Sequence, residues 1–321
     1  MSNIEWTSKT WNPIVGCSKV SAGCQNCYAI NQAYRNAAMG AKLDNPGRLA
    51  YYEGLTEKRG NRVEWTGKVA FVPEALEIPL RTKKPTTWFV NSMSDLFHES
   101  VTFEQLCEIF DVMGGTPQHT YQILTKRPQR MAEMVPLIYR ELAACEGMEL
   151  PEDIEPPSHI WLGCTVENQA TADERIPLLL QTPAAVRFLS CEPLLEDLDL
   201  FLLDDCPHCD VFSQGCPDCY DTGKIPVNAE GIDWVIVGGE SGPGARPCDI
   251  AWIRSIVEQC KAAGVPCFVK QLGNTPKLQV HDCHQPPANW ADYGSTGKGN
   301  DPDEWPEDLR VRQMPSAGVT A

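Results

Sequence analysis

The sequence predicts an α/β fold: a full or partial (β/α) barrel of TIM-like architecture, with a cysteine-rich, zinc-ribbon-like insertion. Short apolar runs rich in β-branched and aromatic residues alternate with segments that are long enough for helices. This alternation indicates a mostly parallel sheet with helices outside it, and the number of units, about eight, is that of a barrel. The chain of 321 residues, 42% of them apolar, is long enough to bury a sizeable core.

The predicted strands are short runs that end in polar residues. We expect them at 10–15, 68–72, 87–90, 121–124, 160–162, 186–189, 234–237 and 266–269. We expect helices between most of them, at 102–113, 129–144, 169–180 and 250–263. In the last of these segments Ile250, Ile253 and Ile256 repeat with the helical period, and Gly264 is a typical helix end.

The barrel is predicted to cover residues 1–275, and two segments depart from the strand–helix alternation. Residues 203–231 form a cysteine-rich insertion between the sixth and seventh strands. Residues 276–321 have no apolar period and many Pro, Gly and Asp. We therefore expect an irregular extension that wraps the domain or frays in part.

Charge and composition exclude several classes of protein. The formal net charge of −16 excludes an extended basic surface that would bind nucleic acid indiscriminately. Only the first hundred residues hold more Lys and Arg than Asp and Glu, so we expect any site for a polyanion to be local and to lie there. No apolar run approaches the roughly 18 residues of a membrane span, and we expect no membrane partner.

The 15 cysteines indicate the compartment. The polar start of the chain lacks the basic and apolar segments of a signal peptide. We therefore expect a cytoplasmic protein, in which clustered thiols form metal sites more often than disulfides.

The first cysteine cluster consists of Cys17, Cys24 and Cys27, spaced C-x6-C-x2-C between a predicted first strand and a helix that begins near Tyr28. Three thiolates can hold three irons of a 4Fe–4S cluster and leave the fourth iron open for a substrate or cofactor. The alternative is a zinc ion whose fourth ligand is a distant Cys or His.

The second cluster is spaced C-x2-C-x6-C-x2-C and consists of Cys206, Cys209, Cys216 and Cys219. Four thiolates from two such pairs form the closed tetrahedron of a structural zinc site, and a second Fe–S cluster is the alternative. The zinc-bound insertion either forms a lip over the barrel mouth that contacts substrate or simply orders its own loop.

Cys24, Cys27 and Tyr28, on the loop after the first barrel strand, resemble the motif of the radical S-adenosylmethionine (SAM) superfamily, although the usual spacing there is C-x3-C-x2-C. Longer stretches are similar to a phage-associated three-cysteine-motif family of unassigned function that is regarded as radical-SAM-like. These stretches are 10–13, 91–97, 124–128, 166–168, 189–195, 237–242 and 268–271. Among characterised enzymes of the superfamily, the spore photoproduct lyases look like the nearest functional analogues.

The resemblance implies a 4Fe–4S enzyme that takes an electron from an external donor and cleaves SAM to methionine and a 5′-deoxyadenosyl radical. It further implies a lyase-type reaction, with nucleic acid as substrate and reversal of a DNA photoproduct as the repair reaction. One alternative is a non-catalytic Zn or Fe–S protein of phage origin that binds nucleic acid. Another is a radical SAM enzyme that acts on a small molecule or peptide.

Polar residues after the strands are candidate SAM ligands under this resemblance, since barrels of this class place chemistry at the carboxyl ends of their strands. Lys126 or Arg127 would pair with the SAM carboxylate. The candidates for its amino group are Ser92, Ser94 and Asp95, and those for its ribose are Glu167 and Asn168.

Glu240 ends a Gly-Gly-Glu sequence that resembles the amino-group-binding motif of the superfamily. It follows the seventh predicted strand rather than the second, so a role on the substrate side is equally open.

Cys164 and Cys191 lie at neighbouring strand ends. A thiol that faces the barrel interior could donate a hydrogen atom to a product radical, as the photoproduct lyases are thought to require. Cys191 is favoured because Ser190 and Glu192 flank it. The alternative is that both are small buried residues of the core, which is the usual state of a free cysteine.

Overall fold

The computed structural model of the chain describes residues 4–145, 147, 155–200, 203–205, 224–226, 231–277 and 299–315. Its strands are β1 (Lys9–Trp11), β2 (Ile14–Val15), β3 (Thr56–Arg59), β4 (Arg62–Trp65), β5 (Ala70–Phe71), β6 (Thr87–Val90), β7 (Thr120–Thr125), β8 (Ile160–Thr165), β9 (Val186–Cys191), β10 (Leu203–Asp205), β11 (Lys224–Pro226), β12 (Trp234–Gly238), β13 (Cys248–Asp249), β14 (Cys267–Gln271) and β15 (Pro276–Lys277). Its α-helices are α1 (Tyr28–Gly40), α2 (Pro73–Arg81), α3 (Phe103–Gly114), α4 (Pro128–Cys145), α5 (Gln169–Gln181) and α6 (Ile250–Ala263).

The main sheet has seven strands in the order β1-β6-β7-β8-β9-β12-β14. All neighbouring strands in it pair in parallel, and the sheet curls into a half barrel. Within the described residues β1 and β14 are its two edges. The predicted α/β class and parallel sheet are confirmed, and the sheet is an open, partial barrel. The four predicted helices correspond to α3, α4, α5 and α6.

The prediction was wrong at the start of the barrel. The expected first strand at 10–15 is divided into β1, which joins the main sheet, and β2, which does not. Pro13 lies between them and has no N–H to continue a ladder. The expected strand at 68–72 is the short β5, which pairs antiparallel with β2 outside the main sheet, so the sheet has one strand fewer than expected.

Two apolar layers lie on opposite faces of the sheet. On the convex face, side chains of the strands pack with α3 to α6 in the largest core of the described residues. On the concave face, aromatic rings gather around Trp6, which contacts Phe89 at 4.8 Å and Trp234 at 6.0 Å between ring centroids. These rings fill the interior of the half barrel.

The described part of the predicted C-terminal extension covers one edge of the sheet. Val269 in β14 donates its N–H to the carbonyl of Val311 at 2.8 Å, and Gln313 donates its N–H to Cys267 at the same distance. Trp305 and Leu309 are buried in the convex-face core. The segment 299–315 thereby protects an edge strand that would otherwise expose unpaired backbone groups.

Within the predicted insertion, 203–231, the strands β10 and β11 pair antiparallel. The four cysteines predicted to bind zinc (Cys206, Cys209, Cys216 and Cys219) lie outside the described residues. In the part of the chain that the structure describes, no helix combines the length and the apolar character needed to cross a bilayer.

Gly163 in β8 offers a test of the sheet packing. A Cβ at this position would lie 2.6 Å from the carbonyl oxygen of Phe188 and 2.7 Å from its ring. We expect Gly163→Ala to lower the free energy of unfolding by about 1–3 kcal/mol, because the neighbouring strand must shift. Urea denaturation measures the change.

Gly114, at the end of α3, is the matched control because a Cβ there meets no atom within 4 Å. Gly114→Ala should leave stability unchanged or raise it by up to about 1 kcal/mol. Equal urea midpoints for the two variants would contradict the packing of β8 against β9.

Candidate functional site

A cavity of about 270 Å³ opens at the carboxyl ends of the parallel strands. One wall is the segment 16–27 between β2 and α1, which we call the cysteine loop, and all three of its cysteines line the cavity. The structure brings six of the predicted cofactor-binding residues to the same cavity: Ser92, Ser94, Asp95, Lys126, Arg127 and Glu240.

The first anchor of the cysteine loop is Arg127, which is buried at the end of β7. Its guanidinium donates to Asp95 at 3.2 Å and to Glu99 at 2.9 Å. It also donates to the Ser18 hydroxyl at 2.7 Å and to the Cys17 sulfur at 3.8 Å. The Asp95 carboxylate accepts further bonds from a hydroxyl and an amide at the end of β7. Both side chains are therefore engaged in holding the loop.

The second anchor is Glu167, which follows β8 and is fully buried. Its carboxylate accepts from the N–H of Gly23 at 3.2 Å and from Arg175 at 3.0 Å. A Cβ on Gly23 would lie 2.9 Å from this carboxylate, so the close approach requires glycine. Asn168 caps α5 by accepting from the N–H of Thr171. Neither predicted ribose ligand is among the described residues that line the cavity, and that role stays a prediction.

The third anchor is the pair of Glu240 and Arg246, which follows β12. Glu240 accepts from Arg246 at 2.6 and 2.9 Å and from the amide of Asn26 at 3.0 Å. Arg246 also donates to the carbonyl of Ala22 at 2.9 Å. Burial opposes ionisation of Glu240, but the bonds from Arg246 and Asn26 outweigh it and lower the pKa of the carboxyl below its usual value. The Gly-Gly-Glu sequence thus contacts the cysteine loop.

Two thiols of the loop, those of Cys17 and Cys27, have pKa values raised by burial. Burial raises the pKa of Cys17 to about 12, with Asp95 acting in the same direction and Arg127 in the opposite one. Burial also raises the pKa of Cys27. Without metal these two thiols hold their protons at neutral pH, and a metal that binds them must displace those protons.

All three cysteines of the loop line the cavity. Among the residues that the structure describes, no three His, Cys, Asp or Glu side chains lie close enough together to hold a single metal ion. A zinc ion needs its ligands on one tetrahedron, whereas in a 4Fe–4S cluster each thiolate can bind a different iron. Three soft thiolates around one cavity are a donor set of the kind that can hold a 4Fe–4S cluster.

Two hydrogen-bond donors in the cavity have no acceptor within the described residues. Asn91 has a left-handed backbone with φ of 60°, and its side-chain oxygen accepts from the N–H of Ile14 at 3.3 Å. Its side-chain nitrogen is buried without a partner in the described chain. The side chain of Lys126 makes no hydrogen bond or ion pair there, and both residues line the cavity. Such donors fit a ligand that brings acceptor oxygens.

Ser92 and Ser94, which follow β6, bond to the segment that precedes the cysteine loop. The Ser92 hydroxyl donates to the side chain of Asn12 at 3.1 Å, and the Ser94 hydroxyl donates to the carbonyl of Ile14 at 2.8 Å. Both hydroxyls thus already have acceptors, and the predicted contact with a cofactor amino group stays a prediction.

The structure places Cys164 and Cys191 on the convex face of the sheet. Both are fully buried in the core between strands and helices, and neither is among the described residues that line the cavity. They occupy the buried core positions of the second alternative, and the role of a hydrogen-atom donor stays a prediction. Because side chains alternate along a strand, it is their neighbours Thr165 and Ser190 that line the cavity.

Sequence reasoning missed the pair of Glu192 and Lys270 as site residues. Their charged groups are 3.1 Å apart, and both residues line the cavity from β9 and β14. The strand between them ends in Gly238, where a Cβ would lie 2.9 Å from Glu192. Their positions after predicted strands were a sequence signal for site residues. That Glu192 and Lys270 pair with each other depends on the order of the strands in the sheet, because β12 lies between β9 and β14.

A profile of the protein family described as "Protein of unknown function (DUF5131)" matches residues 1–305. No curated protein matches the chain. No solved structure matches it either.

Replacement of Arg246 tests the third anchor. We expect Arg246→Ala to increase the alkylation rate of Cys24 in the metal-free protein by roughly tenfold, because hydrogen bonds to charged groups contribute about 1.5–3 kcal/mol to holding the loop. Mass spectrometry after timed iodoacetamide labelling measures the rate. Arg59→Ala is the control, since Arg59 is exposed and pairs with Glu57 away from the loop. Equal rates in the two variants would show that the anchor does not restrain the loop.

Proposed function

The chain belongs to the DUF5131 family of proteins of unknown function, and from its site we propose that it is a radical-SAM-type enzyme on a partial TIM-type barrel. One observation carries the proposal. Three cysteine thiols line one cavity at the carboxyl ends of the strands, together with two donors that lack acceptors in the described chain. No other cysteine or histidine of the described residues lines that cavity.

Cys17, Cys24 and Cys27 would each bind one iron of a 4Fe–4S cluster and leave the fourth iron open. Once bound and reduced by an external donor, such a cluster would supply the electron for reductive cleavage of SAM. The chain itself positions the three thiolates, because carboxylates at the ends of three strands fix the loop that carries them.

Lys126 is the residue that we assign to the carboxylate of SAM. Its ammonium group has no partner in the described chain, whereas Arg127 is fully engaged with Asp95, Glu99 and the loop. An unpaired ammonium group can form a strong, charge-assisted hydrogen bond with a carboxylate. The buried amide nitrogen of Asn91 would donate to a second oxygen of the same cofactor.

The floor of the cavity is apolar. Trp6, Phe89 and Leu124 line it beneath the polar strand ends. Exclusion of water by such a floor protects a reactive radical from side reactions. The arrangement therefore combines polar groups that orient a cofactor with a dry surface below them.

Nucleic acid as substrate and reversal of a DNA photoproduct as reaction remain part of the proposal on the strength of the resemblance alone. The same holds for zinc at Cys206, Cys209, Cys216 and Cys219, which lie outside the described residues. A cytoplasmic location suits an oxidation-sensitive cluster. The competing readings are a binding protein without catalysis and a radical enzyme acting on a small molecule or peptide.

Anaerobic reconstitution tests the proposed activity. We expect about four irons per chain, as one 4Fe–4S cluster requires, and release of 5′-deoxyadenosine from SAM after reduction with dithionite. The Cys27→Ser protein should lose both the bound iron and the release of 5′-deoxyadenosine. The Cys145→Ser protein, which alters an exposed cysteine on α4, should keep both the iron and the release of 5′-deoxyadenosine. A wild-type protein that binds no iron, or that holds a cluster and leaves SAM intact, would refute the proposal.

Lys126→Met tests the assignment of the cofactor carboxylate. We expect the dissociation constant for SAM to rise about 10- to 100-fold, because a hydrogen bond to a charged group is worth about 1.5–3 kcal/mol. Equilibrium binding to the reconstituted protein measures it, with iron content confirmed in each preparation. Lys42→Met, at an exposed position after α1, is the control. An unchanged constant in Lys126→Met would remove Lys126 from the site.

A further inference from the structure

Ser18 follows the first cysteine ligand and lines the cavity. Its hydroxyl oxygen lies 2.7 Å from a guanidinium nitrogen of Arg127 and 3.0 Å from Nε2 of His98. The guanidinium has no acceptor atoms, so Arg127 donates in the first contact. The direction of the second contact depends on which nitrogen of His98 carries the proton.

The surroundings of His98 fix that proton on Nε2. Nδ1 accepts from the backbone N–H of Ser100 at 3.1 Å and therefore carries no hydrogen. The distance of 3.7 Å between Nδ1 and the Glu99 carboxylate is too long for a competing hydrogen bond. Burial, assisted by the positive charge of Arg127, lowers the pKa of His98, as expected for a neutral ring. Nε2 is thus a donor, and it donates to Ser18.

Both lone pairs of the Ser18 oxygen are consequently filled. A hydroxyl has two acceptor positions and one proton to donate, and Arg127 and His98 occupy the two acceptor positions. Within the described chain no acceptor lies in hydrogen-bonding geometry with the remaining proton. The hydroxyl of Ser18, at the wall of the cavity next to Cys17, can therefore form a further hydrogen bond only as a donor.

We propose that Ser18 donates this hydrogen bond to a sulfur atom of the 4Fe–4S cluster on the side held by Cys17, and thereby raises the reduction potential of the cluster. The inference rests on the proposed function, because it needs the cluster. A hydrogen bond to a cluster sulfur stabilises the more negative, reduced form, and such bonds are among the factors that set the potential. Arg127 and His98 act through Ser18 as positioning residues.

A redox titration followed by electron paramagnetic resonance tests this role on the anaerobically reconstituted full chain. We expect Ser18→Ala to shift the midpoint potential to a more negative value at unchanged iron content. Ser18→Thr keeps the hydroxyl and should stay close to the wild type. Ser18→Val has nearly the shape of Ser18→Thr without the hydroxyl, so the difference between these two variants isolates the hydrogen bond even where Ser18→Ala folds poorly.

The outcomes separate this inference from the proposed function. A more negative potential in both Ser18→Ala and Ser18→Val, with Ser18→Thr near the wild type, supports the donor role. Equal potentials in Ser18→Thr and Ser18→Val overturn it while leaving the cluster and SAM cleavage intact. A wild-type chain that assembles no cluster overturns both, and iron analysis identifies that case before any titration.

Discussion

Charged hydrogen bonds between the strand ends and the cysteine loop are the constraint on which the rest of the site depends. The loop has little regular structure of its own, so its position is determined by what it binds. Asp95 with Arg127, Glu167, and Glu240 with Arg246 hold it at separate points along its length. Since these groups follow different strands, the curvature of the sheet sets the position of the three thiols.

Burial makes these anchors specific. A buried carboxylate is costly unless its oxygens are paired and hydrogen-bonded. Glu167 meets this condition with one amide of the loop and one guanidinium of α5. A displaced loop would leave part of each anchor unsatisfied, and the energetic cost of that state favours a single position. The walls of the cavity are thus held in place by contacts within the chain itself.

The polar residues at the strand ends divide into two groups with different tasks. Asp95, Arg127 and Glu240 are saturated by protein partners and hold the loop. Lys126 and Asn91 lack partners for at least one donor in the described chain and face the cavity. The division explains how a protein with a formal net charge of −16 keeps an unpaired positive group in its cavity: the nearby carboxylates are occupied elsewhere.

The sequence by itself determined the α/β class, the parallel sheet, four of the helices and the cavity-lining positions of Cys17, Cys24 and Cys27, because periodicity and motif spacing are local properties of the chain. Only the tertiary structure decided the number of strands in the sheet and the use of each polar residue. The face on which Cys164 lies depends on the exact residue at which β8 begins, since a shift of one residue reverses every side chain. Which of Lys126 and Arg127 remains unpaired depends on partners distant in sequence, and no local pattern records those contacts.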